Sequence, residues 1–242
     1  MIEKQVDIVT SDGTMTTFVF HPEEGGPWPI VLYLMDAPSI RPALKDMASR
    51  LATAGYYVML PFLFYRGSPY REFGASDEDM HARRDLMKTV SRDGIVTDAG
   101  ALLEYAGQDK AASDGKVGAI GFCMSGRLAL ALAQRMPERI AAAASIHGGG
   151  LVVDRDDSPH LQIDKMKAEL YFGWPDEDPS APFEHIVVME DALTKAGIPH
   201  CIDFMKGALH GFAPPGGARY DRAASEKHWE RVHDLFRRNL YA

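Results

Sequence analysis

Residues 117–126 read V-G-A-I-G-F-C-M-S-G. The apolar run over 117–120 is typical of a buried strand, and the apolar spacing after this stretch is typical of a helix. A sharp turn between strand and helix forces strained backbone angles on the residue at its apex, so the residues two positions away must be small. Gly121 and Ser125 meet this requirement around Cys123. The stretch therefore predicts a strand–turn–helix unit with Cys123 at its apex.

Such a turn lifts the side chain of Cys123 out of the sheet, and the helix N-terminus behind it favours a thiolate and a developing oxyanion. The backbone N–H of Met124 is the expected oxyanion donor. Ser125 is a weaker candidate for the nucleophile, because Arg127 would then occupy a position that needs a small residue. The other alternative is that Cys123 is a buried cysteine packed as a small apolar side chain.

The rest of the chain alternates apolar runs with helical patterns, which predicts an α/β fold. We expect a mostly parallel sheet with helices on both faces, in a single domain over 1–242. The expected strands cover 6–9, 16–20, 29–35, 56–62, 116–122, 140–146, 168–172 and 200–205, and the expected helices cover 41–54, 96–106, 125–134, 182–196 and 223–240. The polar segment 64–93 interrupts this alternation and is either a small lid or a plain connection.

Composition narrows the class of protein. The chain has 242 residues, 46% of them hydrophobic, and a formal net charge of −8. That acidic, unclustered balance argues against a nucleic-acid partner or an anionic membrane surface. The N-terminus lacks a signal-peptide pattern, no apolar run is long enough to span a membrane, and two cysteines are too few for a disulfide scaffold. We therefore expect a cytoplasmic protein that is a monomer or a homodimer.

His210 is the expected base, because it follows the last predicted strand and so lies at the same sheet edge as Cys123. The order nucleophile, acid, histidine is that of a hydrolase with this kind of turn. The acid should follow the strand over 168–172, where the loop contains Asp176, Glu177 and Asp178. Spacing alone leaves the choice among these carboxylates open. A surface histidine is the alternative for His210.

Further candidate site residues follow the two buried strands predicted over 29–35 and 56–62. In this type of fold the loop after the first of them supplies a second oxyanion N–H, and Ala37 is the natural donor because Pro38 has none. Arg66 follows the second and could bind a substrate carboxylate through a bidentate fork. A solvated surface arginine is an equally good interpretation of Arg66. His147 precedes three glycines and is expected to line the pocket.

The turn G-F-C-M-S-G resembles that of the dienelactone hydrolase family, G-[YF]-C-x-G-G. F-G-x-x-x-x-D at 172–178, A-L-H-G-F at 208–212 and D-A-P at 36–38 support the resemblance, which covers nearly the whole chain. It implies the α/β-hydrolase fold and a cofactor-independent hydrolase that cleaves a small ester or lactone, with a carboxylate-bearing lactone as substrate. It also favours Asp178, with Asp176 as runner-up, as the residue that orients His210.

Two departures from the family pattern flank the thiol. Ser125 stands where the family has Gly, and Asp36 stands where it has a Glu that contacts the cysteine. Asp36 is a candidate for substrate binding or for keeping the thiol protonated, and pairing with Arg127 or Arg41 or capping of the next helix are its alternatives. These departures leave the substrate open.

Two other functions fit the same residues. A general carboxylesterase or thioesterase would use the same catalytic groups. A non-catalytic redox-responsive protein would use Cys123 with Cys201, but these lie at opposite ends of their predicted strands. No metal-ligand spacing and no nucleotide-binding glycine motif is present, so we predict neither metal nor cofactor.

Overall fold

The computed structural model describes residues 1–241, which contain eight strands, six α-helices and two short 3-10 helices. They divide into two compact units, Met1–Gly115 and the part from Lys116 onward. The strands are β1 (Ile2–Thr10), β2 (Gly13–His21), β3 (Ile30–Leu34), β4 (Tyr57–Pro61), β5 (Val117–Phe122), β6 (Ile140–Ile146), β7 (Glu169–Glu177) and β8 (His200–Leu209). The helices are α1 (Pro42–Thr53), α2 (Asp77–Met87), α3 (Arg92–Ala106), α4 (Gly126–Arg135), α5 (Glu184–Ala196) and α6 (Arg222–Leu240).

In the first unit the strands run in the order β1-β2-β4-β3. β1 and β2 form an antiparallel hairpin, β2 pairs antiparallel with β4, and β3 pairs parallel with β4. All residues of β3 and β4 are buried, as expected for continuous apolar strands with both faces covered. Helix α1 begins with Pro42, whose fixed φ suits a first helical position, and it buries an apolar face.

In the second unit β5, β6, β7 and β8 are adjacent in that order and all parallel. Helix α4 contacts β5 and β6, and α6 contacts β5, β6 and β7. Because Gly118 in β5 has no side chain, α6 can pack close to this strand. A Cβ at that position would lie 2.9 Å from Phe236 and 3.0 Å from Leu240. Because the strands are parallel, their carboxyl ends meet at one edge, where ligands bind in folds of this class.

The predicted α/β class with mostly parallel strands is confirmed. Each predicted strand and helix corresponds to an observed one, although several differ in extent, and α3 begins at Arg92 rather than at residue 96. β1 and β2 are longer than predicted, and β7 and β8 extend past their apolar runs to Glu177 and Leu209. Helix α2 was not predicted. It lies within the 64–93 segment and buries none of its residues, while the proposed role of that segment as a lid stays a prediction.

No helix among residues 1–241 is both long and apolar enough to cross a membrane.

Candidate active site

Cys123 occupies the turn between β5 and α4. Its φ of +54° lies in the left-handed region that non-glycine residues rarely adopt, so the backbone there is strained. Neighbouring glycines make the turn possible. A Cβ on Gly121 would lie 2.0 Å from the carbonyl oxygen of Ser125, and one on Gly126 would lie 2.3 Å from the Oγ of Ser145. The turn therefore has the strained apex and the crowded neighbours that its sequence predicts.

The pairing of β7 with β8 brings a carboxylate to an imidazole. Glu177 lies opposite Leu209 in that pairing, so the next residue of each strand, Asp178 and His210, leaves the sheet at the same point. His210 Nδ1 lies 2.5 Å from Asp178 Oδ2. The other ring nitrogen, Nε2, lies 3.0 Å from the Sγ of Cys123. A continuous hydrogen-bonded chain thus runs from carboxylate to imidazole to thiol.

Asp178 is held from its other side. Its Oδ1 accepts hydrogen bonds from the backbone N–H of Ser180 at 2.8 Å and from the Ser180 hydroxyl at 2.6 Å. The side chain of Asp178 is only 3% exposed. Asp176 instead accepts a hydrogen bond from the backbone N–H of Gly207 at 2.9 Å. Of the competing acids, the structure brings Asp178 to His210. Sequence reasoning overlooked Ser180, although Asp-Pro-Ser is the pattern of a side-chain-to-backbone turn.

The negative charge of Asp178 and the positive charge of His210 stabilise each other. Burial alone would lower the pKa of His210, but hydrogen bonds with Asp178 and Cys123 outweigh burial and raise it to about 10. Burial alone would raise the pKa of Asp178, but hydrogen bonds from His210 and Ser180 outweigh burial and lower it. An imidazolium beside a carboxylate and a sulfur is therefore the favoured state at neutral pH, and an imidazolium can give its proton to a departing oxygen.

His147 lies behind the imidazole of His210. It is fully buried, and its ring contacts those of His210 and Phe212 edge to face, with centroids 5.3 and 5.2 Å away. Among the described residues neither ring nitrogen of His147 has a hydrogen-bond partner. Burial, followed by the charges of His210 and His228, lowers its pKa well below the ordinary value, so the ring is neutral. The structure thus places His147 against the catalytic candidates as an apolar contact.

Asp36 and Ala37 follow β3 in the first unit. Asp36 is 3% exposed, and Arg41 donates to both of its carboxylate oxygens, at 2.6 and 2.8 Å. Of the partners considered for Asp36, the structure selects Arg41. Ala37 is half-buried in the turn after β3, and Met124 is buried in the turn after Cys123.

Arg66 follows β4 and is engaged within the first unit. Its guanidinium donates to both oxygens of Asp98, at 2.7 and 3.1 Å, and to Asp12 at 2.8 Å. A further hydrogen bond goes to the carbonyl oxygen of Gly94 at 3.3 Å. The sequence suggested that the guanidinium of Arg66 binds a substrate carboxylate in a bidentate manner. In the structure it binds the carboxylate of Asp98 in this manner instead.

An open groove of about 580 Å³ borders the acid and the imidazole in the second unit. Asp178 and His210 line it together with Asp176, Glu177, Pro179, Pro182, Phe183, Glu184, Leu209 and Arg219. Among residues 1–241 no group of histidine, cysteine, aspartate or glutamate side chains is arranged to hold a metal ion.

Known proteins share both the sequence and the fold. The sequence profile of the dienelactone hydrolase family matches residues 15–240. A Synechocystis sp. protein provisionally named as a carboxymethylenebutenolidase is 30% identical over 226 residues, which cover 92% of this chain and 91% of that protein. A crystal structure of a provisionally named dienelactone hydrolase from Klebsiella pneumoniae superposes with a TM-score of 0.86 at 22% identity, covering 98% of both chains. The dienelactone hydrolase of Anabaena variabilis gives 0.68 at 21% identity over 99% of this chain and 98% of that one.

The structural likenesses show the α/β-hydrolase fold that the sequence predicted, and the match to the family profile spans nearly the whole chain. The chain therefore belongs to the dienelactone hydrolase family and is a hydrolase.

Proposed function

We propose that this hydrolase cleaves a small ester or lactone with Cys123 as nucleophile, His210 as general base and acid, and Asp178 as the group that orients His210. The observation that carries the proposal is the hydrogen-bonded chain from Asp178 through His210 to the thiol. A thiol within reach of an oriented imidazole is the arrangement that nucleophilic catalysis by cysteine requires. No cofactor takes part.

The reaction proceeds in two halves. The proton of the Cys123 thiol is held by His210 as part of its imidazolium, and the thiolate attacks the carbonyl carbon to form a tetrahedral oxyanion, which the N–H of Met124 stabilises. The oxyanion collapses, the carbon–oxygen bond to the leaving group breaks, and His210 gives its proton to that oxygen. His210 then takes a proton from water, the hydroxide attacks the thioester, and the acid leaves as the thiol is regenerated. Ala37 stays the predicted second oxyanion donor.

The redox-responsive alternative has less support. Both cysteines are free thiols. Cys201 lies opposite Tyr171 near the start of β7, whereas Cys123 follows the end of β5. The four strands are parallel, so the two thiols belong to opposite ends of them. Burial raises the pKa of Cys201, which disfavours its thiolate.

Hydrolysis of 4-nitrophenyl acetate tests the proposal. Cys123→Ala should abolish enzymatic turnover, because the thioester cannot form, while the matched variant Cys201→Ala should retain it. Circular dichroism of both variants establishes that they are folded. Hydrolysis that survives Cys123→Ala at an undiminished rate would end the proposal.

A further inference from the structure

The loop after β6 contains three consecutive glycines, residues 148–150, which we call the glycine loop. The proposed mechanism gives this loop no role, yet its backbone contacts two parts of the candidate active site. The N–H of Gly149 donates to the carbonyl oxygen of Cys123 at 3.2 Å, and the N–H of Gly150 donates to the carbonyl oxygen of Ser180 at 3.4 Å. The glycine loop therefore connects the turn of the nucleophile with the turn of the acid.

At the nucleophile, the glycine loop lies against the start of α4. A Cβ on Gly126 would lie 2.7 Å from the Cα of Gly148, and a Cβ on Gly148 would lie 3.2 Å from the Cα of Gly126. Contacts this close leave no room for a side chain between the two backbones. A strained backbone persists only where its surroundings hold it, and the bond from Gly149 is made to the strained residue Cys123.

At the acid, the glycine loop lies against the side chain of Ser180. A Cβ on Gly149 would lie 2.8 Å from the Oγ of Ser180 and 3.3 Å from its Cβ. That Oγ donates to Asp178 Oδ1 at 2.6 Å. The lack of a side chain at position 149 thus leaves the Ser180 hydroxyl free to stay where it donates to the acid.

The carboxylate of Asp178 depends on such contacts for its orientation. Rotation of a carboxylate about its Cβ–Cγ bond has no sharp preference of its own. Ser180 supplies two donors to Oδ1, its backbone N–H and its hydroxyl, so the other oxygen is turned towards His210. Ser180 itself is exposed, so its hydroxyl contributes to this orientation rather than to the core.

We propose that Ser180 is a positioning residue for catalysis, and that the glycine loop holds it at a fixed distance from the turn of Cys123. The inference rests on the proposed function, in which Asp178 orients His210. Ser180 acts through Asp178 and not on the reacting atoms. Because one loop holds both turns, the imidazole between them keeps the 3.0 Å contact from its Nε2 to the sulfur, and catalysis depends on such fixed geometry.

Removal of the hydroxyl tests the role of Ser180. Ser180→Ala should lower kcat for 4-nitrophenyl acetate about tenfold, because a hydrogen bond to a charged group is lost, and should change KM by less than about twofold. Ser180→Thr keeps a hydroxyl and should recover most of kcat. The matched control is Ser11→Ala, which removes an exposed hydroxyl that donates to Asp12 in the first unit, and it should keep the kcat of the unchanged protein.

A double-mutant cycle tests the link through the glycine loop. Gly149→Ala should also lower kcat about tenfold, because its new Cβ displaces the Ser180 hydroxyl from Asp178. In the Ser180→Ala background that hydroxyl is already absent, so adding Gly149→Ala should lower kcat by less than about twofold more. Gly100→Ala, at a position with nothing within 4 Å of the new Cβ, is the control and should leave kcat unchanged.

Alkylation of Cys123 by iodoacetamide gives a readout that needs no ester. A less well oriented Asp178 stabilises the imidazolium of His210 less, so less thiolate forms beside it. Peptide mapping should show several-fold slower alkylation of Cys123 in both Ser180→Ala and Gly149→Ala, and an unchanged rate in the two controls. Circular dichroism establishes that all variants are folded.

The outcomes separate this inference from the function on which it rests. Unchanged kcat and alkylation in Ser180→Ala, with hydrolysis still lost in Cys123→Ala, would overturn the positioning role and keep the nucleophile. Losses of kcat that multiply in the double variant would overturn the link through the glycine loop. Hydrolysis that persists in Cys123→Ala would overturn the proposed function itself.

Discussion

Two clusters of buried charge follow strand ends in this molecule, and they use similar groups to different effect. In the second unit, Asp178 binds His210, whose remaining ring nitrogen faces the sulfur of Cys123. In the first unit, Asp98 binds Arg66, whose other donors are taken up by Asp12 and a backbone carbonyl. We call the four residues Arg66, Asp98, Asp12 and Tyr65 of the first unit the Arg66 cluster.

The difference lies in what each cation can still do. An imidazole can both accept and give up a proton during a reaction, and the Nε2 of His210 faces a sulfur atom. A guanidinium keeps its protons at any pH at which the protein is folded. The guanidinium of Arg66 donates its hydrogen bonds to carboxylates of the same polypeptide. Tyr65 adds a hydrogen bond to Asp98 at 2.6 Å and completes that set. A buried charge cluster thus supports chemistry only where it leaves one labile proton next to a reactive atom.

The largest effect on activity should come from replacing Asp178, the carboxylate that pairs with His210. Asp178→Asn should lower kcat for aryl acetates by about 10²–10⁴, because His210 then loses the partner that fixes its tautomer and stabilises its charge. Asp176→Asn is the matched control and should change kcat by less than about threefold, since that residue hydrogen-bonds a backbone N–H. The reverse ranking of the two variants would show that Asp176 is the catalytic acid.

Breaking the Arg66 cluster should cost stability. Arg66→Ala leaves Asp98, which is 2% exposed, as an unpaired buried carboxylate, and we expect a loss of about 3 kcal/mol in the free energy of unfolding. Arg71→Ala removes an exposed pair with Asp79 and should cost far less, because solvent screens that pair. Urea denaturation measures both. A raised KM in Arg66→Ala without lost stability would restore its role in substrate binding.

The two clusters should also differ in titration. His210 should titrate at about 10 in ¹⁵N NMR spectra of its ring, against an ordinary pKa of 6.5, and Asp178→Asn should move it towards the ordinary value. Because the folded pKa is the higher one, the ion pair stabilises the fold fully below about pH 6.5. That contribution disappears as the pH rises through 10. Titration near 6.5 in the unchanged protein would mean that the chain of hydrogen bonds does not hold an imidazolium.

The smallest effect should come from His147, which touches the catalytic cluster without exchanging a hydrogen bond with it. His147→Phe keeps the edge-to-face contacts and removes two unsatisfied nitrogens, so the free energy of unfolding should change by less than about 1 kcal/mol, or increase. His147→Ala should cost about 3 kcal/mol through the cavity it leaves. Thermal unfolding measures both. A Phe variant as unstable as the Ala variant would show that the ring nitrogens have partners.

The sequence was most informative where structure is local. The turn around Cys123 depends on residues within three positions, and its small neighbours predicted it. The choice between Asp178 and Asp176 depends on the β7–β8 pairing, which shifts register between Pro175 and Glu177, and no local pattern reveals that shift. The partners of Arg66 lie 32 and 54 positions away, so spacing could not predict them.

Helix α2 escaped prediction for a different reason. It buries no residue, so it lacks the apolar period on which helix prediction relies. Its signal was at the start, where Ser76 caps the helix and Asp77, Glu78 and Asp79 fill the first turn.

The most direct test of the central claim is to trap the acyl-enzyme. The protein is mixed with an excess of 4-nitrophenyl acetate, quenched in acid within the first turnover, and its peptides are mapped by mass spectrometry. A single acetyl group on Cys123, absent when the Cys123→Ala variant is treated in the same way, is the result we predict. An acetyl group on Ser125, or turnover with no adduct on Cys123 at any time, would contradict the claim that this thiol is the nucleophile.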